Sequence, residues 1–238
     1  MHRFFVNPND IRPGCIHLTQ EILSHLHVLR LRANEQFILC DGAETDYICV
    51  LDGHAAKILS KKSNTAEPSV AVHLYLALTK GDRMDFAIQK SVELGVGSVM
   101  LFPGKRSIAR MDNPEKKLIR FTRIAHEAAK QSGRGVVPSV GWISDFSDVL
   151  RDAKKADLAL FCDEEERVAG LSQVLSQSKA PKSISALVGP EGGFDPTEAT
   201  AARNAGMISI SLGHRILRAE TATIAATAII ALKLELMS

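Results

Sequence analysis

The stretch Leu187-Val188-Gly189-Pro190-Glu191-Gly192-Gly193 lies at the end of an apolar run and decides how the rest of the chain is interpreted. The run from Ile184 to Val188 is predicted to be a buried strand. Three glycines and a proline then follow within five residues, and glycine allows the backbone to approach a ligand closely. A loop of this kind directly after a strand is typical of a ligand-binding turn in an α/β protein.

A helix, a second strand and a second loop are predicted after this glycine loop. Asp195 is the expected N-cap, Pro196 the first helical residue, and Glu198 the partner that completes a capping box. The strand 208–212 then leads into Gly213-His214-Arg215-Ile216-Leu217-Arg218-Ala219-Glu220-Thr221-Ala222. Open α/β sheets bind ligands where such loops follow parallel strands, although glycine-rich turns also occur without a site.

Strands and helices alternate along the chain from residue 70 onward. Strands are predicted at 70–78, 98–102 and 158–162, with helices at 82–94 and from Pro114 to about residue 131. This alternation predicts a parallel sheet flanked by helices.

The last helix, from Ala222 to Met237, is apolar nearly all round, with Leu236 among its apolar residues. Because it also carries Lys233 and Glu235, it is predicted to be a buried helix and not a membrane span. One face would pack on the sheet, and a second subunit would cover the rest, which predicts a homodimer.

Residues 1–69 show a different pattern of short β-rich runs. Asp41-Gly42 and Asp52-Gly53 are strong hairpin signals, and apolar residues at helical spacing predict one helix over 20–31. The expected product is a small β-barrel with one helix. The polar run 61–68 is predicted to be a linker, so the sequence predicts two domains, 1–69 and 70–238.

Composition restricts the classes of function. The 238 residues are 45% hydrophobic and can bury a sizeable core. A formal net charge of +2 gives no basic field over the whole molecule, so any RNA-binding surface must be a local patch. The four cysteines lack Cys-x-x-Cys spacing and are predicted to be buried thiols in the cytoplasm. No signal peptide and no membrane association are expected.

No metal site is predicted from the sequence. The histidines of the first domain are scattered, and neither carboxylates nor thiols complete a ligand set around them. The acidic run Asp163-Glu164-Glu165-Glu166 directly follows a predicted strand. It is interpreted as a solvated turn.

Val188–Phe194 together with Leu212–Ala222 resembles the paired cofactor loops of the knotted SPOUT methyltransferases, and in particular the RsmE-like family. That family methylates N3 of a uridine in 16S ribosomal RNA. The resemblance extends over essentially the whole chain, including Arg123–Arg134 and an N-terminal region similar to a PUA-like RNA-binding domain. It implies a SPOUT-type parallel sheet with a C-terminal trefoil knot and a PUA-like β-barrel. Pattern reasoning alone would not predict a knot.

The resemblance also implies a cofactor, S-adenosylmethionine, and the residues that bind it. Gly189, Gly192 and Gly213 would leave room for the ligand, and Gly192 is a candidate for a positive φ. The expected cofactor-binding residues are Leu187, Val188, Gly189, Pro190, Glu191, Gly192, Leu212, Gly213, Ile216, Leu217 and Thr221.

Methylation of uridine N3 requires that its imide proton be removed, so a base or an anion-stabilising cation is needed. The candidates are Arg123, Glu127 and Arg218, and the spacing of Arg123 and Glu127 allows them to pair on one helix face. Expected RNA-binding residues are Arg3, Arg30, Lys80, Lys105, Arg106 and Arg134. The expected partners are 16S rRNA or the small ribosomal subunit.

Three alternatives stay open from the sequence. A related knotted enzyme could methylate a ribose 2′-hydroxyl, and a non-catalytic RNA-binding protein would bind no cofactor. A nucleotide-dependent oxidoreductase is disfavoured because the chain has no Gly-x-Gly-x-x-Gly turn.

Overall fold

The computed structural model describes residues 1–32, 34–178 and 180–235. The chain forms two compact units. The first contains Met1–Glu67 together with Ala129–Val137, and the second contains the described residues of Pro68–Ala128 and Pro138–Ser238. The sequence-based division at residue 69 did not anticipate that 129–137 packs with the N-terminal unit.

The first unit contains a six-stranded sheet and one helix. Its elements are β1 (Arg3–Phe5), β2 (Ile11–Arg12), β3 (Cys15–His17), α1 (Gln20–Val28), β4 (Phe37–Cys40), β5 (Thr45–Asp52) and β6 (Ala55–Ser63). The strand order is β1-β4-β5-β6-β3-β2; β1 is parallel to β4 and the other neighbours are antiparallel. Gly42 and Gly53 have φ values of 75° and 61° in the two turns, which confirms both predicted hairpins.

Two details of this unit differ from the sequence-based expectation. Lys61–Ser63, which were assigned to a linker, are the end of β6 and pair with Thr45–Tyr47. The predicted closure into a barrel is not confirmed, because no ladder joins the outer strands β1 and β2 among the described residues.

Arg3 and Arg134, both predicted to bind RNA, instead form buried ion pairs inside the first unit. The two guanidinium nitrogens of Arg3 each donate to an Asp46 oxygen at 2.6 Å, and the side chains are 9% and 2% exposed. Arg134 donates to Glu67 at 2.6 Å and is 3% exposed. Buried charges need such partners, so these two guanidinium groups hold the unit together and are not available to phosphate.

Glu67 explains why a segment of the later chain packs with the first unit. Its Oε1 accepts hydrogen bonds from the Gly135 and Val136 amides at 2.9 and 3.1 Å, in addition to the Arg134 pair. The Asn64 side-chain amide donates to the Gly133 carbonyl at 2.9 Å. Sequence periodicity carries no information about such long-range partners, which is why this segment was not predicted.

The second unit is a six-stranded, fully parallel sheet with helices, which confirms the predicted α/β class. Its strands are β7 (Ala71–Ala77), β8 (Ser98–Phe102), β9 (Ser139–Trp142), β10 (Leu158–Cys162), β11 (Ser183–Val188) and β12 (Ile208–Ile210). Its helices are α2 (Arg83–Glu93), α3 (Pro114–Ser132, whose last turn belongs to the first unit), α4 (Phe146–Ala153), α5 (Leu171–Gln177), α6 (Pro196–Asn204) and α7 (Ala219–Glu235). β9, α4 and α5 were not predicted.

Helices cover both faces of this parallel sheet. On one face, α4 and α6 pack with Phe161, Leu187 and Phe194 in a shared apolar cluster. On the other face, α7 contacts β11, α2 and α5. Parallel strands need cover of this kind on both faces, which explains their continuous apolar runs.

The strand order β12-β10-β11-β7-β8-β9 determines where a site can form. Because β10 lies between β11 and β12 and all three are parallel, the loops after these strands leave the same edge of the sheet side by side. Within the described part of α7, and in every other described helix, no segment is long and apolar enough to cross a membrane. Leu236 and Met237 of the predicted last helix lie outside the described residues.

Candidate active site

A cavity lies between the three loops that follow β10, β11 and β12. Each loop starts at the carboxyl end of its strand, which is where open α/β sheets bind ligands. The lining residues are Cys162, Asp163, Glu164, Arg167, Val188, Gly189, Pro190, Gly193, Phe194, Ile210, Ser211, Leu212, Gly213, Arg215, Ile216, Leu217, Ala219 and Ala222.

The loop after β11 is a tight turn that is fixed at both ends. The Gly193 amide donates to the Pro190 carbonyl at 2.9 Å, and Gly193 has a φ of 68°. The left-handed residue is therefore Gly193 and not Gly192, which corrects the sequence-based expectation. A Cβ at Gly189 would lie 3.2 Å from the Phe194 ring, so the turn also needs a small residue there.

The predicted capping box is present and fixes the start of α6. The Asp195 side chain accepts from the Thr197 amide at 3.0 Å, and Glu198 accepts from the Asp195 amide at 2.9 Å. The other oxygen of the buried Glu198 accepts from the Lys105 amide at 2.9 Å. One carboxylate therefore joins the glycine loop to the basic loop after β8.

The loop after β12 is fixed against the start of α5. The Ser211 amide donates to the Ala169 carbonyl at 2.8 Å, and the Leu171 amide donates to the Ser211 carbonyl at 3.2 Å. Gly213 follows with a φ of 110°, a conformation that side chains rarely adopt. This second glycine allows the chain to turn back along the cavity before α7 begins.

The loop after β10 is the part of the site that the sequence did not predict. Asp163 is 6% exposed, although the acidic run to which it belongs was predicted to be a solvated turn. Its carboxylate accepts from Ser209 at 2.9 Å and from Arg203, and its amide donates to Ile210. The sequence did contain one signal for this part of the site, because the acidic run directly follows a predicted strand.

Two further side chains of this region define the character of the cavity wall. Glu164 lies beside Gly193, so a Cβ added there would collide with its carboxylate. Burial raises the pKa of the Cys162 thiol to about 12. That thiol is therefore protonated at neutral pH and is a weak nucleophile.

Seven of the eleven predicted cofactor residues line this cavity: Val188, Gly189, Pro190, Leu212, Gly213, Ile216 and Leu217. The other four do not. Leu187 is fully buried in the core, and the Gly192 carbonyl accepts from Arg106 at 3.1 Å. Glu191 accepts from the Lys80 amide at 3.1 Å and from Arg83 at 3.2 Å. Thr221 lines a neighbouring groove.

That neighbouring groove, which we call the α2–α7 groove, is lined by Asp82, Arg83, Phe86, Ile216, Leu217, Arg218, Glu220 and Thr221. It shares Ile216 and Leu217 with the cavity, so the two adjoin at this short segment. Arg218, a predicted catalytic residue, is exposed in this groove.

Three of the predicted RNA-binding residues surround the glycine loop. Lys80, Lys105 and Arg106 are all exposed. The Lys105 ammonium donates to the Thr197 hydroxyl at 2.6 Å, and Arg106 holds the Gly192 carbonyl. The structure therefore places a local group of cations beside the cavity.

The remaining predicted residues lie apart from the cavity wall. Arg123 and Glu127 are exposed on α3, and Glu127 Oε1 lies 3.6 Å from Nδ1 of His126. Their pairing with each other stays a prediction. Arg120, one turn earlier, pairs with Asp85 of α2. In the first unit, Arg30 is exposed directly after α1 and has a φ of 53°.

Comparison with known proteins identifies the family. Residues 66–231 match the profile of an RNA methyltransferase domain, and residues 18–59 match an RNA methyltransferase PUA domain. The chain is 35% identical to the ribosomal RNA small subunit methyltransferase E of Mesomycoplasma hyopneumoniae (strain 232), over 94% of this chain and 96% of that protein. The chain belongs to this family. The family predicted from the sequence, including its PUA-like domain, is thus confirmed.

Two further relatives of the family agree along nearly the whole chain. The Bacillus subtilis (strain 168) protein of the same name is 32% identical, over 92% of this chain and 91% of that protein. A crystal structure of the Neisseria gonorrhoeae ribosomal RNA small subunit methyltransferase E bound to S-adenosyl methionine is 35% identical. It superposes with a TM-score of 0.85, covering 98% of this chain and 97% of that chain.

Substitution of Gly193 tests whether the glycine loop forms the ligand site. An alanine there would cost about 1–2 kcal/mol in the left-handed conformation, and its Cβ would also displace Glu164. The loop would relax away from its binding conformation, so we expect Gly193→Ala to weaken S-adenosylmethionine binding about tenfold or more in calorimetry.

Gly192→Ala is the matched control for that experiment. Gly192 does not have a positive φ, and its Cβ would lie 3.3 Å from the Arg106 Cβ. We expect a much smaller effect from this neighbouring substitution. Equal dissociation constants for Gly193→Ala and the unaltered protein would contradict the assignment of the loop.

Proposed function

We propose that this protein transfers the methyl group of S-adenosylmethionine to N3 of a uridine in the 16S ribosomal RNA of the small subunit. The observation that carries the proposal is the cavity between three adjacent strand ends. It occurs in a chain that is 35% identical over nearly its full length to a ribosomal RNA small subunit methyltransferase E. The enzyme class follows from the family, and the uridine N3 target is our proposal.

The cavity wall fits the cofactor. The loops after β11 and β12 line the cavity with backbone groups and with mostly apolar side chains, which suits an adenine ring. Glu164 provides a carboxylate for a cationic group of the ligand, and Arg167 and Arg215 provide cations for its carboxylate. S-adenosylmethionine, when bound, supplies an electrophilic methyl group attached to a sulfonium. We propose that Glu191, Gly192 and Thr221 support this site from outside the wall.

RNA would be held by the cations around the glycine loop. Lys80, Lys105 and Arg106 are exposed there and can contact phosphates. We propose Arg30 as a further phosphate contact from the PUA-like domain. These contacts make RNA binding sensitive to salt, because each neutralised phosphate releases counterions.

The catalytic groups must remove the imide proton or stabilise the anion that forms. Arg218 lines the α2–α7 groove and directly follows Leu217, which lines both the groove and the cavity. We propose that its guanidinium stabilises negative charge on a uracil carbonyl. Arg123 and Glu127 of α3 remain proposed contributors to this step, Glu127 as a base and Arg123 as a cation.

We also propose the trefoil knot and the closed barrel that the family resemblance implies. The hydrogen bonds of Ser211 to Ala169 and Leu171 support the knot, because they hold the chain after β12 against the connection that follows β10. An experimental electron-density trace of residues 158–222 in which this connection is not threaded would exclude the knot.

Identification of the methylated nucleoside tests the proposed reaction. Small ribosomal subunits that lack the modification are treated with enzyme and labelled S-adenosylmethionine, digested to nucleosides and analysed by mass spectrometry. We expect the label in 3-methyluridine. Label in a 2′-O-methylated nucleoside would instead identify a ribose methyltransferase, and no transfer to RNA would indicate a protein that only binds RNA.

A homodimer in the cytoplasm is the proposed assembly, and α7 supports it. Ala225, Ala228, Ile229 and Leu232 follow one another at helical spacing and form one stripe, of which Leu232 is 58% exposed. An apolar stripe of this kind is typical of a protein interface. Sedimentation should give twice the chain mass of 25.8 kDa at micromolar concentration. A monomer under those conditions would contradict the proposal.

A further inference from the structure

The α2–α7 groove contains groups that suit an RNA base. Phe86 is 47% exposed, although most aromatic side chains of the chain are buried. Arg83 and Arg218 lie in the same groove, and Ile216 and Leu217 line both this groove and the proposed cofactor cavity. Proteins that read single RNA bases stack them on aromatic rings or guanidinium planes.

Glu220 is the groove residue with an unused acceptor. It lies in the first turn of α7, directly after Ala219 of the cavity wall, and its side chain is 14% exposed. Its Oε2 is buried and has no hydrogen-bond partner among the described residues. Such an atom loses its hydration without compensation, so a carboxylate oxygen in this state points to a donor that arrives with a ligand.

Glu191 also has a buried carboxylate oxygen without a hydrogen-bond partner among the described residues, but it is a weaker candidate than Glu220 for a group that binds a ligand. That oxygen is Oε2, whereas Glu191 Oε1 accepts two hydrogen bonds, from the Lys80 amide and from Arg83. Those bonds connect the glycine loop to Lys80 before α2 and to Arg83, the first residue of α2. The charge partner of Glu220 is Arg83, whose Nε lies 3.9 Å from Oε1, beyond hydrogen-bond distance.

We propose that the α2–α7 groove binds the uracil base of the target uridine and that Glu220 accepts its N3 proton. This inference rests on the proposed methyl transfer to N3, and it assigns the base of that step to Glu220 instead of Glu127. Phe86 provides a stacking surface, while Arg83 and Arg218 stabilise the negative charge that develops on the uracil oxygens.

The proton and electron balance of the step is simple. The N3–H bond breaks and the proton moves to the Glu220 carboxylate. The N3 electron pair forms a bond to the methyl carbon, and the carbon–sulfur bond breaks with its electrons remaining on sulfur. The products are 3-methyluridine, S-adenosylhomocysteine and a protonated Glu220, which returns its proton to water.

Glu220→Gln tests the assignment because it keeps the shape of the side chain and removes the base. General base catalysis contributes about 10²–10⁴-fold, so the single-turnover rate at neutral pH should fall by that factor. The affinity for S-adenosylmethionine should change little. Glu93→Gln is the matched control, since Glu93 is a partly buried carboxylate paired with Lys90 and lines neither cavity nor groove.

The pH profile separates a base from a structural residue. The charged groups around Glu220 are Asp82 and Arg83 at the start of α2, Glu191 of the glycine loop and Arg218, which precedes α7. Without a protein base, the reaction must use uridine that has already ionised in solution. The rate of Glu220→Gln should therefore continue to rise into the alkaline range and approach that of the unaltered protein.

Two outcomes would overturn this inference. One is a neutral-pH rate for Glu220→Gln within about threefold of the Glu93→Gln rate, and the other is a rate loss that is equal at every pH. In either case, 3-methyluridine formed by the unaltered protein would leave the proposed function standing. Absence of that product from the unaltered protein would instead refute the proposed function itself.

Phe86→Ala provides a second test of the base-binding role. Loss of a stacking surface should raise the KM for RNA by roughly 5- to 150-fold, the factor that stacking on an aromatic ring contributes per base. The dissociation constant for S-adenosylmethionine should stay the same. An unchanged KM for RNA would contradict the placement of the base in this groove.

Discussion

The structure depends on one constraint, the parallel pairing of β10 between β11 and β12. Parallel strands end at the same edge of a sheet, so this pairing brings together three loops that are far apart in sequence. β10 ends at Cys162 and β12 at Ile210, yet the two strands pair directly. The cavity, the groove beside it and the start of α7 all follow from this arrangement.

Buried carboxylates then fix the loops in place. Asp163 holds the loop after β10 through Arg203 and Ser209, and Glu198 joins the glycine loop to the basic loop after β8. Glu191, which is only partly buried, connects the glycine loop to Lys80 and to the start of α2. The hydrogen bonds that Asp163 and Glu198 accept compensate for the loss of hydration of these two buried carboxylates. The result is a pre-formed cavity, which reduces the ordering cost of binding a ligand.

Local patterns predicted the elements that depend on local chemistry. The strands 98–102 and 158–162 match β8 and β10, and the capping box after the glycine loop is present as expected. The predictions that missed a contact concern residues whose partners are distant in sequence. Arg3 was predicted to bind RNA, because nothing in the local sequence shows that Asp46, 43 residues away, is its partner. The role of Asp163 was missed in the same way, because its partner Arg203 is 40 residues away. Glu220 was not among the sequence-based candidates for the base, because our proposal for it rests on its burial and on a carboxylate oxygen without a hydrogen-bond partner among the described residues. Neither property is visible in a sequence.

Hydrogen exchange with and without S-adenosylmethionine tests the central claim most directly, because it reports every loop in one experiment. If the three strand ends form the cofactor site, the cofactor should slow amide exchange in 163–167, 189–194 and 211–218 together. The strands of the first unit should exchange at unchanged rates. Protection confined to one of these loops, or centred in the first unit, would contradict the account.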